Sequence, residues 1–358
     1  AIMNPTKFSV ASIATLQQSS SLIRGSFSIL KWLTQRFRSH VLEVKRLYSL
    51  EDIKPTVKDG SLPYPSQESE KRTGMSFDLR DVSFSYPTTK TKEPALKNIS
   101  CSIKAGQMVV IVGANGSGKS TLIKLLNRLY DPTSGIITVD NHDITSYRLD
   151  DYRSSVATLT QDHSIFGVSV GENIGLGYTE ESGNEELLMK AAEQGGAKGV
   201  IAKFKDGLFT TLGPNNDTYG VRVSEHDDTP LGRALKKMEK TIKVSGGEKQ
   251  RLVAARTFMR FESGRITFVA VDEPSSAMDP EAEFQLFRNL RSWRDGKTMI
   301  FVTHRFGHLT KHADMILCMK DGTLVESGTH ETLMTVGGEY SKLYKIQAEA
   351  FEAPAKSS

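Results

Sequence analysis

Nine consecutive residues, Gly113-Ala114-Asn115-Gly116-Ser117-Gly118-Lys119-Ser120-Thr121, bring three glycines, a lysine and hydroxyl side chains together directly behind the apolar run MVVIVG. They lead into TLIKLLNRLY, where Leu122, Leu125, Leu126 and Leu129 recur at helical spacing. Glycines let the backbone curl so that successive N–H groups aim inward at phosphate oxygens, and the positive end of the helix that follows adds to the attraction. Lys119 would reach the β and γ phosphates of a nucleoside triphosphate, and the Ser120 hydroxyl would coordinate Mg²⁺. Strand, loop and helix in that order are the context such a loop requires.

A second run, ITFVAVDEP, is an apolar strand ending in two carboxylates. Asp272, at the strand end, can hold the Mg²⁺ shell; Glu273, one residue farther out, can polarise an attacking water. Two adjacent acids after a strand can also simply cap the next helix. The third run is Val244-Ser245-Gly246-Gly247-Glu248-Lys249-Gln250-Arg251. Its Ser and Gly residues precede the helical run Gln250 to Arg260 and form a second anion-binding helix start.

With that third run the sequence resembles the ABC transporter ATPases, whose signature is usually written Leu-Ser-Gly-Gly-Gln. The resemblance implies that Ser245, Gly246, Gly247 and Glu248 face the γ-phosphate bound by the opposite protomer, and that Gly113, Asn115, Gly116, Ser117, Gly118, Lys119, Ser120 and Thr121 hold the nucleotide. Tyr86, in FSYP, resembles the aromatic that stacks on adenine. Gln161, in LTQDHSIF, resembles the glutamine that senses the γ-phosphate and Mg²⁺ and links to the membrane domain. Ser276 to Asp279 resembles the segment that crosses the dimer interface, and His304, after MIFVTH, the histidine that contacts the γ-phosphate. Ser120, Gln161 and Asp272 then serve the Mg²⁺ ion, with Glu273 as general base. The likeness spans about Phe77 to Tyr344, and SIFGVSVGENIGLG is similar to exporter-type members. There are two departures. Glu248 replaces the usual glutamine, and residues 214–240 are longer than the short acidic segment that exporters carry before the signature.

These residues need elements to position them. MVVIVG, VATLT, ITFVAVDE, MIFVTH and MILCM are continuous apolar runs alternating with helical ones, as a parallel sheet covered by helices requires. FDLRDVSFSYP and ALKNISCSI alternate apolar and polar residues and suggest a small antiparallel sheet, while MILCMK and TLVESG, joined at Asp321-Gly322, read as a closing hairpin. Residues 163–260 are mainly helical in pattern and contain the 214–240 insertion. That insertion reads as a polar first half followed by a short basic helix, either docking on a partner or merely tolerated.

Ahead of all this, Lys7 to Leu50 holds no proline and only Gly25, with Leu30, Leu33, Phe37, Val41, Val44 and Tyr48 at spacings of three and four. That is a long amphipathic helix, and it fits the cytosolic continuation of an exporter's last transmembrane helix. The Pro- and Ser-rich stretch after it reads as a linker. The expected organisation is therefore a transmembrane-domain extension over 1–53, a linker over 54–74, the ATPase domain over 75–348 and a tail over 349–358.

Composition excludes several classes. Among the 358 residues the two cysteines, Cys101 and Cys318, lie far apart in strand-like runs, which is no disulfide framework. The net charge of +4 is concentrated at the start, where the first sixty residues hold nine Lys or Arg against four Asp or Glu. That surplus suits either anionic lipid or a plain solvated helix face and is modest for nucleic acid, which is not an expected partner. No run approaches the roughly twenty apolar residues of a membrane span, and no signal peptide is visible. A chain opening at Ala1 is expected to be a fragment of a longer membrane protein.

The expected fold is α/β: a P-loop NTPase core with a mainly parallel sheet, an antiparallel β-subdomain and a helical signature subdomain, behind a long N-terminal helix. The expected function is ATP hydrolysis on the cytosolic face of an ABC exporter. Its partners would be a second ATPase domain, as a homodimer or an intramolecular pair, and the transmembrane domain. A DNA- or ribosome-acting ABC ATPase would carry a long coiled coil or two cassettes, a non-hydrolysing module would have lost Glu273 or His304, and a nucleotide kinase has no use for the Ser-Gly-Gly run.

Overall fold

The structure is a computed structural model that describes residues 10–51, 55–65, 74–87, 93–160, 164–213, 244–273, 278–303 and 309–352. Its contacts divide the chain into two units, Ala1–Thr56 and Val57–Ser358. The first contains α1 (Val10–Glu51). Its interior hydroxyls bond back to the preceding turn, as Ser26 Oγ does to Leu22 O at 3.0 Å, so they do not compete with the helix. The stripe Leu30, Leu33, Phe37, Val41, Val44 and Tyr48 keeps between 47 and 71% of its surface exposed. No helix among the described residues is long and apolar enough to cross a membrane.

The second unit begins with β1 (Phe77–Phe84), β2 (Leu96–Ile103), β3 (Met108–Gly113), α2 (Lys119–Leu126), β4 (Ser134–Val139), β5 (His142–Asp143), α3 (Leu149–Ser154) and β6 (Val156–Leu159). It continues through α4 (Val170–Gly175), α5 (Glu185–Gln194), α6 (Lys198–Ile201), α7 (Gly246–Phe261), β7 (Phe268–Asp272), α8 (Pro280–Ser292) and β8 (Thr298–Val302). It closes with β9 (Met315–Lys320), β10 (Thr323–Gly328), α9 (His330–Val336) and α10 (Glu339–Glu352). The strands form two sheets: β2-β1-β4-β5, antiparallel, and β10-β9-β3-β8-β7-β6, parallel except at the β9–β10 hairpin. The hairpin turns at Asp321 (φ 50°) and Gly322 (φ 81°), the left-handed pair that a two-residue turn needs.

The continuous apolar runs are explained by burial on both faces. In β3, Val109 and Ile111 pack with α2 and the antiparallel sheet, while Met108, Val110 and Val112 pack with residues of α4, α5, α7 and α8. β7 and β8 split in the same way. α2 buries Leu122, Ile123, Leu125 and Leu126, each worth about 1.5–3 kcal/mol in transfer free energy. Register then aligns the strand ends. Ile111 of β3 pairs with Val302 of β8, which pairs with Asp272 of β7, so Gly113 and Asp272 emerge at one edge of the sheet. In open α/β sheets that carboxyl edge is where ligands bind.

Two local outcomes differ from the pattern in the sequence. Leu129 does not extend the α2 face: the helix stops at Leu126, Arg128 takes φ 51°, and Leu129 is 46% exposed. The turn buries the Arg128 guanidinium, which donates to Tyr147 O, Thr145 O and Lys58 O. Part of the stretch read as a linker is also packed. Gly60 N donates to Tyr147 O (3.2 Å), Leu62 N to Ser146 O (2.9 Å) and Tyr64 Oη to Asp140 Oδ2 (3.0 Å). A Cβ at Gly60 would lie 2.2 Å from Ser146 O, so only glycine permits this approach. The anchors, one glycine and one tyrosine, were hidden in a Pro/Ser-rich composition.

Candidate nucleotide-binding site

The loop from β3 to α2 is shaped by its glycines. Gly113 has φ +150° and a Cβ there would stand 2.2 Å from Met319 O; at Gly118, φ is +98° and a Cβ would meet Leu96 Cδ2 at 2.7 Å. Asn115 and Gly116 are exposed at the tip, whereas Ser117 is buried, with its Oγ unpartnered among the described residues. Lys119, the first residue of α2, is only 4% exposed. Its Nζ folds back to donate to Gly113 O and Ala114 O, both at 3.0 Å. Burial pushes the ammonium pKa down, and Glu273 and Asp272 pull it back up. No acid lies in the first turn of α2 and no described side chain caps its N–H groups. That leaves the positive helix end for an anion.

Across the loop, Ser120 Oγ donates to Asp272 Oδ1 at 3.0 Å. Burial raises the Asp272 pKa, and the bond from Ser120 opposes the shift. An octahedral Mg²⁺ with oxygens at about 2.1 Å would place adjacent ligands about 3.0 Å apart, so this pair would fit one edge of such a site. Among the described residues no three His, Cys, Asp or Glu side chains cluster to hold a metal. An ion here would take its remaining ligands from phosphate and water, as Mg²⁺ commonly does. Glu273, half-buried, sits at φ 47° with its N–H bonded to Val302 O (3.0 Å). Such left-handed backbone in a non-glycine residue costs free energy and concentrates at functional sites.

Tyr86 stands beside α2, its hydroxyl 3.1 Å from Thr121 Oγ1 and its ring edge-packed on Phe84 (4.9 Å) and Tyr130 (5.4 Å). Lys124 Nζ lies 5.5 Å from the ring centroid, a cation–π contact that the sequence did not flag.

The second helix start, expected from the sequence to receive an anion, is built differently. Ser245 is the exposed N-cap of α7 and forms a capping box with Glu248. The helix starts at Gly246, four residues earlier than the pattern suggested. Glu248 Oε2 accepts from Ser245 N (2.9 Å) and Ser245 Oγ (3.0 Å), while Oε1 takes Lys203 Nζ at 2.8 Å. Lys203 and the Ser245 N–H hold this carboxyl at about 2. Farther along α7, Arg251 Nη2 meets Asp279 Oδ2 at 3.0 Å, while Asp279 Oδ1 caps α8 through Ala282 N. Lys203 could not be found from spacing, since 45 residues separate it from Glu248.

The structure thus brings Lys119, Ser120, Asp272 and Glu273 together, with Tyr86 and Thr121 beside them, and sets Ser245 to Glu248 apart on another helix start. Gln161, Ser276 and His304 lie outside the described residues, as does the 214–240 insertion.

Residues 96–276 match the sequence profile of the family described as ABC transporter. The chain is 34% identical over 312 residues to the ATP-dependent lipid A-core flippase of Photorhabdus laumondii, covering 87% of this chain and 47% of the flippase. It is 32% identical to the heavy metal tolerance protein of Schizosaccharomyces pombe, over 88% of this chain and 34% of that protein. A solved bacterial Atm1-family ABC exporter with ATP bound superposes with a TM-score of 0.69 and 26% identity, over 90% of this chain and 48% of that one. The chain spans less than half the length of each of these proteins. With the profile match over half its length, the chain belongs to the ABC transporter family.

Proposed function

We propose that this chain binds and hydrolyses Mg-ATP to drive a membrane exporter, acting from the cytosolic face as a head-to-tail pair of ATPase domains. The observation that carries the reading is the β3–α2 loop: an uncapped helix start, a buried lysine folded across it, and Ser120 bonded to Asp272. Lys119 and the loop amides of Gly113, Asn115, Gly116, Ser117 and Gly118 hold the phosphates, with Thr121 behind them and Tyr86 against the base. Ser120, Asp272 and Gln161 would hold Mg²⁺, which when bound would supply neutralisation of phosphate charge. Glu273 takes a proton from water as its oxygen bonds to the γ-phosphorus. The bridging P–O bond breaks, and its electron pair leaves with ADP. His304 orients the γ-phosphate. Ser245, Gly246, Gly247 and Glu248 close over it from the other protomer, and Ser276 and Asp279 cross between protomers. α1 continues the last helix of a transmembrane domain, whose contacts cover its exposed stripe.

Glu273→Gln tests the assignment. It is expected to keep ATP binding while turnover falls by about 10²–10⁴. Hydrolysis near the unsubstituted rate in the purified variant would remove Glu273 from the role. A chain that binds ATP but never turns it over in its unsubstituted form would instead be a binding module.

A further inference from the structure

The signature helix carries a charge where an anion has to arrive. Glu248 occupies the third position of α7, and both its oxygens are engaged: Oε2 by Ser245 N and Oγ, Oε1 by Lys203 Nζ at 2.8 Å. A carboxylate in the first turn suits a helix start facing water, because it complements the helix dipole. It opposes a helix start that must receive a triphosphate, because like charges repel. A glutamine at this position would cap equally well and bring no charge. Lys203 offsets that charge. Its backbone is fixed, since Val200 and Ile201 just before it are buried, Phe204 just after it packs on the core, and Lys203 N bonds to Val200 O at 3.2 Å.

We propose that Lys203 is a positioning residue of the signature loop, whose ammonium neutralises Glu248 so that the ATP γ-phosphate held by a second copy can be received at Ser245, Gly246 and Gly247. This rests on the proposed head-to-tail ATPase pair. Two composite sites form per pair, so loss of the lysine acts twice on association.

The test uses the whole chain with Mg-ATP, comparing Lys203→Met, Lys203→Arg, Glu248→Gln and the Lys203→Met/Glu248→Gln double variant. ATPase rate per chain is titrated against chain concentration, whose midpoint reads association; binding of a fluorescent ATP analogue well below that midpoint reads the β3–α2 loop alone. Lys203→Met is expected to move the midpoint upward about tenfold without changing analogue affinity. Lys203→Arg keeps the midpoint, and adding Lys203→Met to Glu248→Gln moves it no further. An unchanged midpoint in Lys203→Met overturns the inference, as does an equal loss in the Glu248→Gln background, which would mark a merely structural lysine. A rate per chain that is independent of concentration in the unsubstituted protein overturns the paired ATPase itself, and this inference with it.

Discussion

The two helix starts proposed to receive phosphate in this molecule are built on opposite principles. At α2 the protein supplies no cap: the preceding residue is glycine, the first turn holds no acid, and a buried lysine and strand-end carboxylate wait behind it. At α7 the protein supplies everything itself, with Ser245 and Glu248 satisfying each other and Lys203 balancing the charge. An uncapped, desolvated helix start holds a phosphate by itself, because its dipole and lysine act where water screens little. A self-capped, exposed start contributes only after something else has positioned the anion. In the proposed function this difference fits primary binding at one loop and completion of the site at the other.

The largest effect is expected at the uncapped start. Lys119→Ala should lower kcat/KM by about 10²–10³, with a clear loss of nucleotide affinity in single chains. Retained affinity would show that the two starts are not so unequal. Ser245→Ala should leave single-chain affinity intact, lower turnover by about tenfold or more, and cost about 1 kcal/mol of stability from the lost cap. Equal loss of affinity in both variants would erase the comparison. A smaller effect separates the cap from the bound anion by pH. A carboxylate held below its ordinary value contributes stability that is complete above 4.5 and is lost as pH falls toward about 2. The melting-temperature difference between the unsubstituted chain and Glu248→Gln should therefore be flat from pH 8 to about 5.5 and shrink below about 4.5. The smallest effect concerns thiols. Burial pushes Cys318 up to about 12 and Cys101, with help from Asp78, to about 11. Native protein at pH 8 should then react with iodoacetamide far more slowly than unfolded chain.

Much of this was legible because burial on both faces writes itself as unbroken apolar runs, and β3, β7, β8 and β9 could be read directly. The loop glycines and the Asp272-Glu273 pair stood out in the sequence because phosphate chemistry would need fixed residue types at fixed spacing. Long-range polar partners leave no such trace. Nothing in the order of residues ties Arg128 to Lys58 O, Lys203 to Glu248, or Tyr64 to Asp140. The end of α2 was missed for the same reason. The leucine spacing runs on to Leu129, but the chain turns first at Arg128, whose buried guanidinium has its desolvation offset by bonds to three carbonyls.

The division between a holding loop and a completing loop is tested most directly by mixing. Lys119→Ala and Ser245→Ala chains, each nearly inactive alone, are combined in equal amounts and their ATPase rate is measured. In a head-to-tail pair, half the dimers are mixed and each has one intact site of two, so about a quarter of the unsubstituted rate is expected. A mixture no faster than the average of its two components would contradict it.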